Sequence, residues 1–168
     1  MEIKDKKEVF VFFWGGTMSN WAPSKFIIDG VEFGTCEQYM MYKKALMFND
    51  YDAAKKIMST SNPKEQKQLG REVKGFKDDV WTKYCREIVY DANVAKFTQN
   101  KDMFEELMAT GDKEFCEASP LDRRWGVGMS ADNPFIQDKA NWDGLNWLGE
   151  ALTKVRNDLR EQGFKFEE

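Results

Sequence analysis

The residues with the clearest potential for chemistry are a glutamate and a lysine on one predicted helix. Glu37 and Lys44 lie seven residues apart, so their side chains project from nearly the same helix face, about two turns apart. A carboxylate can stabilise a cation that develops during a reaction, and a lysine can bind phosphate or act as a nucleophile. Spacing alone also allows a simpler interpretation, in which Glu37 interacts with the helix dipole and Lys44 is an ordinary surface lysine.

A second cluster of chemically capable residues occupies an aperiodic stretch between residues 117 and 128. It contains two carboxylates, two arginines, a tryptophan and two glycines within twelve residues. Loops with charged and aromatic residues often carry function, although a solvated surface turn has a similar composition. Residues 126–131 (GVGMSA) also match a dinucleotide-binding glycine pattern. We reject that match because the pattern requires a preceding strand and a following helix, and the flanking residues are DRRW and DNP.

The absence of histidine restricts the possible chemistry. The 168-residue chain contains no histidine, so serine–histidine triads, histidine general bases and histidine-containing zinc sites are excluded. Its three cysteines, Cys36, Cys85 and Cys116, form no C-x-x-C pair, and we expect each to be a small buried apolar residue. We therefore expect no disulfide framework and no metal site. Any catalysis must use carboxylates, lysine, arginine, tyrosine or backbone groups.

Composition and charge indicate one folded domain in the cytoplasm. Hydrophobic residues make up 42% and charged residues 32% of the chain, which excludes a disordered tail. No apolar run approaches the roughly 20 residues that span a bilayer, and Met1–Glu8 is charged where a signal peptide would be apolar. The net charge of -4 argues against a domain that coats nucleic acid through bulk charge, although a small basic pocket remains compatible. We expect most of the six tryptophans in the core.

The hydrophobic pattern predicts a mainly α-helical α+β fold in a single compact domain with a small N-terminal sheet and a core from about residue 9 to 162. The apolar run Glu8–Trp14 predicts a buried strand, and Asp29-Gly30 between two β-forming triplets predicts a hairpin. Thr35 and Gln38 form a capping-box pattern. Helices are predicted over residues 35–48, 50–58, 62–71, 78–97, 102–110 and 145–163, with a strand at 115–116 and an irregular stretch from 119 to 143. The buried face of the longest helix should consist of Val80, Trp81, Tyr84, Cys85, Ile88, Val89 and Ala92.

Taken in order, these segments resemble the NADAR family. The resemblance runs from about Phe12 to Arg160 and rests on the glutamate–lysine helix, the E-x-x-x-x-D-x-x-W-G-x-G loop and a late L-N-x-L-G. The matching segments include MSNWAPSKF, EQYMMYKKALMF, AKFTQN, EASPLDRRWGVG and LNWLGEALTKVR. The chain departs from the family at Val127, where an acidic residue is common, and this puts a catalytic role of that position in doubt.

The resemblance implies an N-glycosidase that hydrolyses the bond between a phosphorylated ribose and a base or amine, without a cofactor. The implied substrates are early riboflavin-pathway aminopyrimidine phosphoribosides, or ADP-ribose attached to guanine in nucleic acid. The implied catalytic residues are Glu37, Lys44 and Asp122. The implied substrate-binding residues are Ser19, Asn20, Trp81, Glu117, Arg123, Trp125, Gly126, Gly128 and Asn146.

Several alternatives stay open at this point. Lys44 either anchors a phosphate or orients Glu37, or it attacks the anomeric carbon of an opened ribose. A non-catalytic module that binds ADP-ribose or NAD is the competing class of protein, and a helical interaction protein with a vestigial site is a third. The joint presence of Glu37, Lys44 and Asp122 favours the enzyme. The expected partner is a small-molecule phosphoribosyl or ADP-ribosyl substrate or ADP-ribosylated guanine in nucleic acid, and not a membrane. The sequence does not determine which base or amine is released, nor the oligomeric state.

Overall fold

In the computed structural model, which describes residues 9–167, three short strands precede five helices, and a fourth strand precedes the last helix. The expectation for Met1–Glu8 lies outside these residues. The elements are β1 (Phe10–Phe13), β2 (Phe26–Ile28), β3 (Val31–Phe33), α1 (Cys36–Met47), α2 (Tyr51–Met58), α3 (Pro63–Arg71), α4 (Asp78–Gln99), α5 (Lys101–Ala109), β4 (Glu114–Glu117) and α6 (Trp147–Glu161). Short 3-10 turns cover Pro134–Gln137 and Lys139–Asn141. The predicted mainly helical α+β class is confirmed.

The described chain divides into two compact units. One comprises residues 20–103, and the other comprises residues 9–19 together with 104–167. The division falls inside α5, after its first three residues. Each unit contains one small two-stranded sheet. None of the helices in the described part of the chain is long and apolar enough to cross a membrane.

The hairpin of the first unit forms as its Asp-Gly pair predicts. β2 and β3 are antiparallel, with Phe26 opposite Phe33. Asp29 and Gly30 have φ values of 51° and 79°, which is the backbone of the tight turn that matches strand twist. The inner face of the hairpin buries Phe26 and Phe33 against Tyr39 of α1. The hairpin is thereby fixed to the helix that carries the glutamate and the lysine.

The start of α1 is capped almost as the sequence indicates. The Thr35 hydroxyl oxygen accepts a hydrogen bond from the Gln38 N–H at 3.0 Å. The Gln38 side chain accepts from the Gly34 N–H at 2.8 Å, whereas a capping box would direct it to the Thr35 N–H. Gln38 also donates to the Ile57 and Thr60 carbonyls, so the same residue connects the helix start to α2. These local bonds fix where α1 begins.

The longest helix, α4, buries most of its predicted face. Trp81, Cys85, Ile88, Val89 and Ala92 are buried as expected. Two predicted members of the face differ, since Val80 is only half-buried and Tyr84 is 42% exposed. Both lie at the edge of the apolar stripe, where a tyrosine can keep its hydroxyl in water.

The second unit joins β1 and β4 in parallel, with Phe10 opposite Glu114. The strand predicted at Glu8–Trp14 is shorter than expected. Its first residue lies outside the described residues, only Phe10 is fully buried, and Trp14 follows the strand with 63% exposure. β1 belongs to a sheet of only two strands. Such a strand is not enclosed on both faces as a strand of a large parallel sheet is, so its apolar run is only partly buried. A small core of Cys116, Ala118, Val127 and Ile136 lies beside this sheet.

α6 packs against β4. Its residues Leu148, Leu152, Val155 and Leu159 are all buried as predicted. Leu145 was expected on the same face and is instead 55% exposed. It precedes the helix, so it does not follow the helical period.

Most tryptophans lie outside the core, contrary to expectation. Trp81 is the single buried member, whereas Trp14 and Trp21 are exposed. The other three, Trp125, Trp142 and Trp147, are half-buried. An indole is large and has a polar edge, so composition alone overestimates its burial. All three cysteines are buried and free, as predicted.

Candidate active site

Glu37 lies in the first turn of α1 and is only 5% exposed. Its backbone N–H donates to the Asn20 carbonyl at 3.0 Å, so the first loop supplies an acceptor for one of the N–H groups that a helix start leaves unpaired. The Asn20 side chain is also buried and accepts from the Asn93 amide of α4 at 3.4 Å. Asn20, predicted to bind substrate, is therefore a direct structural neighbour of the predicted catalytic glutamate.

Lys44 lies two turns further along α1 in aromatic surroundings. Its Nζ is 4.5 Å from the centroid of the Phe76 ring and 5.8 Å from that of the Trp81 ring. The side chain is half-buried, so Lys44 is not an ordinary surface lysine. The structure brings the two predicted residues Lys44 and Trp81 together. Phe76 is a neighbour that sequence reasoning missed, because a single phenylalanine in a connecting segment carries no periodic signal.

Two further polar residues of α4 were missed by sequence reasoning. Asn93 and Lys96 are fully buried and lie three residues apart on one helix face. The Cys36 thiol donates to the Asn93 side-chain oxygen at 3.7 Å. Burial is the main reason why the pKa of Cys36 is raised to about 11, while the charge of Lys96 lowers it and that of Glu37 raises it. The charges of Lys96 and Glu37 therefore both act on the same buried thiol.

A pattern in α4 could have revealed these residues. Asn93 and Lys96 follow Val89 at spacings of four and seven residues, so they continue the buried face. Polar residues in register with an apolar stripe are uncommon when they have no role, because burial of an unpaired polar or charged group is costly.

The loop after β4 is organised by side chains that accept backbone hydrogen bonds. One carboxylate oxygen of Asp122 accepts from the N–H groups of Arg124 and Trp125 at 2.9 and 2.8 Å. The Ser119 hydroxyl oxygen accepts from the N–H of Asp122 at 3.1 Å. This arrangement closes a tight turn around the carboxylate. Asp122 thus has a definite structural role, and its predicted catalytic role stays a prediction.

The two loop glycines are required by close approach and by backbone conformation. A Cβ at Gly126 would lie 2.9 Å from the Asp122 carbonyl oxygen and 3.0 Å from that of Glu117. Gly128 has a φ of +72°, which favours glycine. Val127 between them is fully buried in the small core, so this position is a core residue here.

The start of α6 holds this loop in place. The N–H groups of Asn146, Trp147 and Leu148 donate to loop carbonyls at 3.0 to 3.1 Å; the acceptors are Gly126, Arg124 and Trp125, respectively. The Asn146 side chain does not cap its own helix. It accepts from the Glu117 N–H and donates to the Phe115 carbonyl, both at 3.0 Å. Asn146 therefore begins α6, as predicted, and its amide connects α6 to β4.

An aromatic and cationic cluster lies on the same loop. The Trp125 and Trp147 rings meet edge to face with centroids 5.7 Å apart. The guanidinium of Arg124 lies 5.5 Å from the Trp147 centroid. Arg123 is exposed and pairs with Asp143 at 3.0 Å. Trp147 is thus a neighbour of Trp125, and it was not among the predicted site residues.

The predicted site residues fall into two groups that belong to different units. Asn20, Glu37, Lys44 and Trp81 belong to the unit of residues 20–103. Ser19 and the loop residues belong to the other, where the Ser19 N–H donates to the Gly16 carbonyl at 3.0 Å. Within residues 9–167, no group of three or more histidine, cysteine, aspartate or glutamate side chains is arranged to hold a metal ion.

The chain belongs to the NADAR family, because the NADAR domain model matches residues 12–160. This match runs through both units. The resemblance inferred from the motifs is confirmed.

Individual relatives support this membership. N-glycosidase R617 of Acanthamoeba polyphaga mimivirus is 39% identical over 165 residues, which cover 90% of this chain and 97% of the viral protein. Protein irg-1 of Caenorhabditis elegans is 36% identical over 181 residues, which cover 96% of this chain and 85% of the nematode protein. The name of the viral relative agrees with the expected enzyme class, a hydrolase of N-glycosyl bonds.

A solved structure shares the fold. The NMR structure of the E. coli protein YbiA superposes with a TM-score of 0.77 at 23% identity, covering 96% of this chain and 90% of that protein. At this identity the similarity concerns the fold, and it agrees with the mainly helical α+β class.

Proposed function

We propose that this protein is an N-glycosidase that hydrolyses the bond between the anomeric carbon of a phosphorylated ribose and a base or amine. The observation that carries the proposal is the placement of Glu37 and Lys44. The carboxylate is almost fully buried in the first turn of α1, and the amine lies half-buried on the same helix about two turns along. Family membership and the name of the viral relative support the same class of reaction.

Glu37 supplies the negative charge that this reaction requires. Cleavage of a ribose C–N bond builds positive charge on the anomeric carbon and the ring oxygen. A carboxylate fixed in a water-poor environment stabilises that charge more strongly than one in bulk water. The bond from the Glu37 N–H to Asn20 holds this part of the helix in place, so little rearrangement is needed when the charge develops.

Lys44 supplies a second function in the same unit. Its amine lies beside the aromatic rings of Phe76 and Trp81, and its side chain is half-buried. A protonated amine there can bind a phosphate. A neutral amine can instead attack the anomeric carbon of an opened ribose and displace the base, and water then hydrolyses the resulting Schiff base. Both roles suit a phosphoribosyl or ADP-ribosyl substrate.

The loop of residues 117–128 supplies recognition of the leaving group in this proposal. Trp125 and Trp147 offer aromatic surface to a flat base, and the guanidinium of Arg124 can bind a phosphate. Asp122, Gly126 and Gly128 maintain the shape of the loop. Asp122 is also our candidate for the acid that protonates the departing base or activates water.

A panel of substrates tests the proposal. The purified protein is incubated with an aminopyrimidine phosphoriboside, with an oligonucleotide that carries ADP-ribosylated guanine, and with NAD, and the released base is separated by chromatography. We expect release from at least one of the first two substrates. Tight binding of ADP-ribose without release from any substrate would contradict the proposal and would favour a binding module.

A further inference from the structure

A fully buried lysine lies on α4 behind the start of α1, and the residues of the proposed reaction do not include it. Lys96 has no solvent-exposed surface, and its Nζ lies 5.0 Å from the centroid of the Phe97 ring. Lysine is almost never buried completely unless a counter-charge or a set of acceptors stabilises it. We therefore expect a group of opposite charge near the Lys96 amine.

The distribution of buried charge points to Glu37. Within residues 20–103, all of which the structure describes, Glu37 is the single buried carboxylate and Lys96 the single buried cation. A buried charge of either sign costs several kcal/mol in isolation, and a partner of opposite sign offsets much of that cost. The two residues are therefore expected to depend on each other.

Contacts between the helices place the two residues in one polar region. Asn93, three residues before Lys96 on α4, accepts from the Cys36 thiol and donates to the Asn20 side chain. Cys36 directly precedes Glu37, and Asn20 accepts from the Glu37 N–H. The polar face of α4 thus contacts the helix start that carries the carboxylate. The pKa of the Cys36 thiol responds to both charges, in opposite directions.

We propose that Lys96 is a positioning residue whose buried charge keeps the Glu37 carboxylate ionised for the reaction. This inference rests on the proposed function for its catalytic meaning. The electrostatic dependence of Glu37 on Lys96 can nevertheless be measured without any turnover.

The other charged groups around α1 have different surroundings. Lys67 of α3 lies 5.9 Å from the Trp21 ring centroid, and Glu32 of β3 pairs with Lys25 at 2.7 Å. The remaining charged residues of α2, α3 and α4 are exposed, where solvent screens them. On α1 itself, Lys43 acts on Asp91 of α4, and Lys44 lies against Phe76.

The uncharged titratable groups near Glu37 do not supply a charge at neutral pH. The pKa of Cys36 is about 11. Burial, with smaller contributions from Asp91 and Asp29, raises the pKa of Tyr39 above its ordinary value of 10.0. The Cys85 thiol of α4 donates to the Thr82 carbonyl of its own helix. Lys96 is therefore the cation on the elements packed against α1 that solvent does not screen.

The test measures the titration of the Glu37 carboxyl carbon by NMR, with its resonance assigned by comparison with Glu37→Gln. Removal of a nearby positive charge disfavours the ionised form, so Lys96→Met should raise the pKa of Glu37 by about one unit or more. Lys96→Arg keeps the charge and should restore most of the original value. Lys83→Met is the matched control, because it removes an exposed cation from the same helix and should leave Glu37 unchanged.

Enzyme kinetics provide the second readout. In Lys96→Met the acid limb of the kcat/KM profile should move to higher pH by the same amount, because more alkaline conditions are needed to ionise Glu37. An unchanged Glu37 titration in folded Lys96→Met would overturn the proposal. If Lys96→Met shifts the Glu37 titration but the unsubstituted protein releases no base from any substrate of the panel, the coupling is upheld and the proposed function is overturned instead.

A folding readout covers the case in which Lys96→Met does not fold. Removal of one buried charge leaves the other uncompensated, whereas removal of both does not. The double variant Lys96→Met/Glu37→Gln should then regain the folded far-ultraviolet and near-ultraviolet circular dichroism spectra. Failure of the double variant to fold would assign Lys96 a role in packing alone and would overturn the proposal.

Discussion

Glu37 and Lys44 share one face of α1 but have different surroundings. Glu37 is enclosed by the helix start and the first loop, whereas Lys44 is enclosed by aromatic rings. The backbone of Glu37 is held by its hydrogen bond to Asn20, and the Lys44 side chain is half-buried. Single-residue substitutions can therefore separate the roles of the two groups.

Replacement of Glu37 by glutamine should lower turnover by about 100-fold or more, because the amide has no charge to oppose the developing cation. The substitution also leaves Lys96 without its proposed counter-charge, so the midpoint of thermal unfolding should fall, and turnover is compared at a temperature at which both proteins are folded. Steady-state base release and differential scanning calorimetry measure the two quantities. Wild-type turnover in the variant would show that Glu37 is only a first-turn residue of α1.

Replacement of Lys44 distinguishes its two possible roles. If the amine attacks an opened ribose, it forms a transient Schiff base, and borohydride should trap one sugar adduct on Lys44. Lys44→Arg should then be inactive although it keeps the positive charge. If Lys44 only binds phosphate, intact-mass measurement should find no adduct, and the arginine variant should keep measurable activity.

An alanine at position 44 is the control for both interpretations. It removes charge and nucleophile together, so Lys44→Ala should lose activity under either mechanism. Normal turnover in this variant would exclude Lys44 from the site.

The elements differ in how far sequence could predict them. The β2–β3 hairpin and the start of α1 are set by residues within a few positions of each other, such as Asp29-Gly30 and Thr35 with Gln38. The loop of residues 117–128 depends on partners that are distant in sequence. Its carbonyls bind the start of α6, and Asn146 of α6 binds β4. Local patterns could identify the residues of this loop but not the contacts that shape it.

The contact between α6 and β4 gives a prediction at this scale. A Cβ at Gly149 would overlap the Phe115 carbonyl oxygen and the Asn146 side chain. The carbonyl belongs to a strand and cannot move away freely, so Gly149→Ala should destabilise the protein by about 2 kcal/mol despite the higher helix propensity of alanine. Urea unfolding monitored by tryptophan fluorescence measures the change.

Gly34→Ala is the matched control. The nearest atom to a Cβ at Gly34 is the Gln38 side-chain oxygen at 3.8 Å, which is an ordinary contact. Its effect should stay within about 0.5 kcal/mol. Equal effects of the two substitutions would contradict the explanation by close packing.

At the scale of the whole molecule, the sequence was sufficient for the family and the fold class. It was not sufficient for the burial of large side chains. Most of the tryptophans were expected in the core, yet only Trp81 is buried, and Trp14 and Trp21 are exposed. The buried polar pair Asn93 and Lys96 was missed for a related reason. Burial of a side chain depends on which helices pack together, and a one-dimensional pattern does not contain that information.

The buried thiols predict how the stability of the whole molecule depends on pH. Burial raises the pKa of Cys36 from 9.0 to about 11 and is also the largest cause that raises the pKa of Cys116 from 9.0 to about 12. The folded state therefore binds these protons more tightly than the unfolded state. Their contribution is fully present below pH 9 and is lost as the pH rises through 11 and 12. A shift of two units corresponds to about 3 kcal/mol.

Urea unfolding at a series of pH values between 7 and 11 measures this dependence. The free energy of unfolding should change little because of the thiols up to about pH 8.5 and should then decrease steadily, as the unfolded chain releases protons that the folded chain retains. The double variant Cys36→Ala/Cys116→Ala lacks these two thiols and keeps Cys85, so its stability should be lower at pH 7 because of lost packing but should decrease less steeply above pH 9. Tyr39, whose pKa burial also raises, is present in both proteins and contributes equally. Parallel curves for the two proteins would show that the thiols do not cause the alkaline loss of stability.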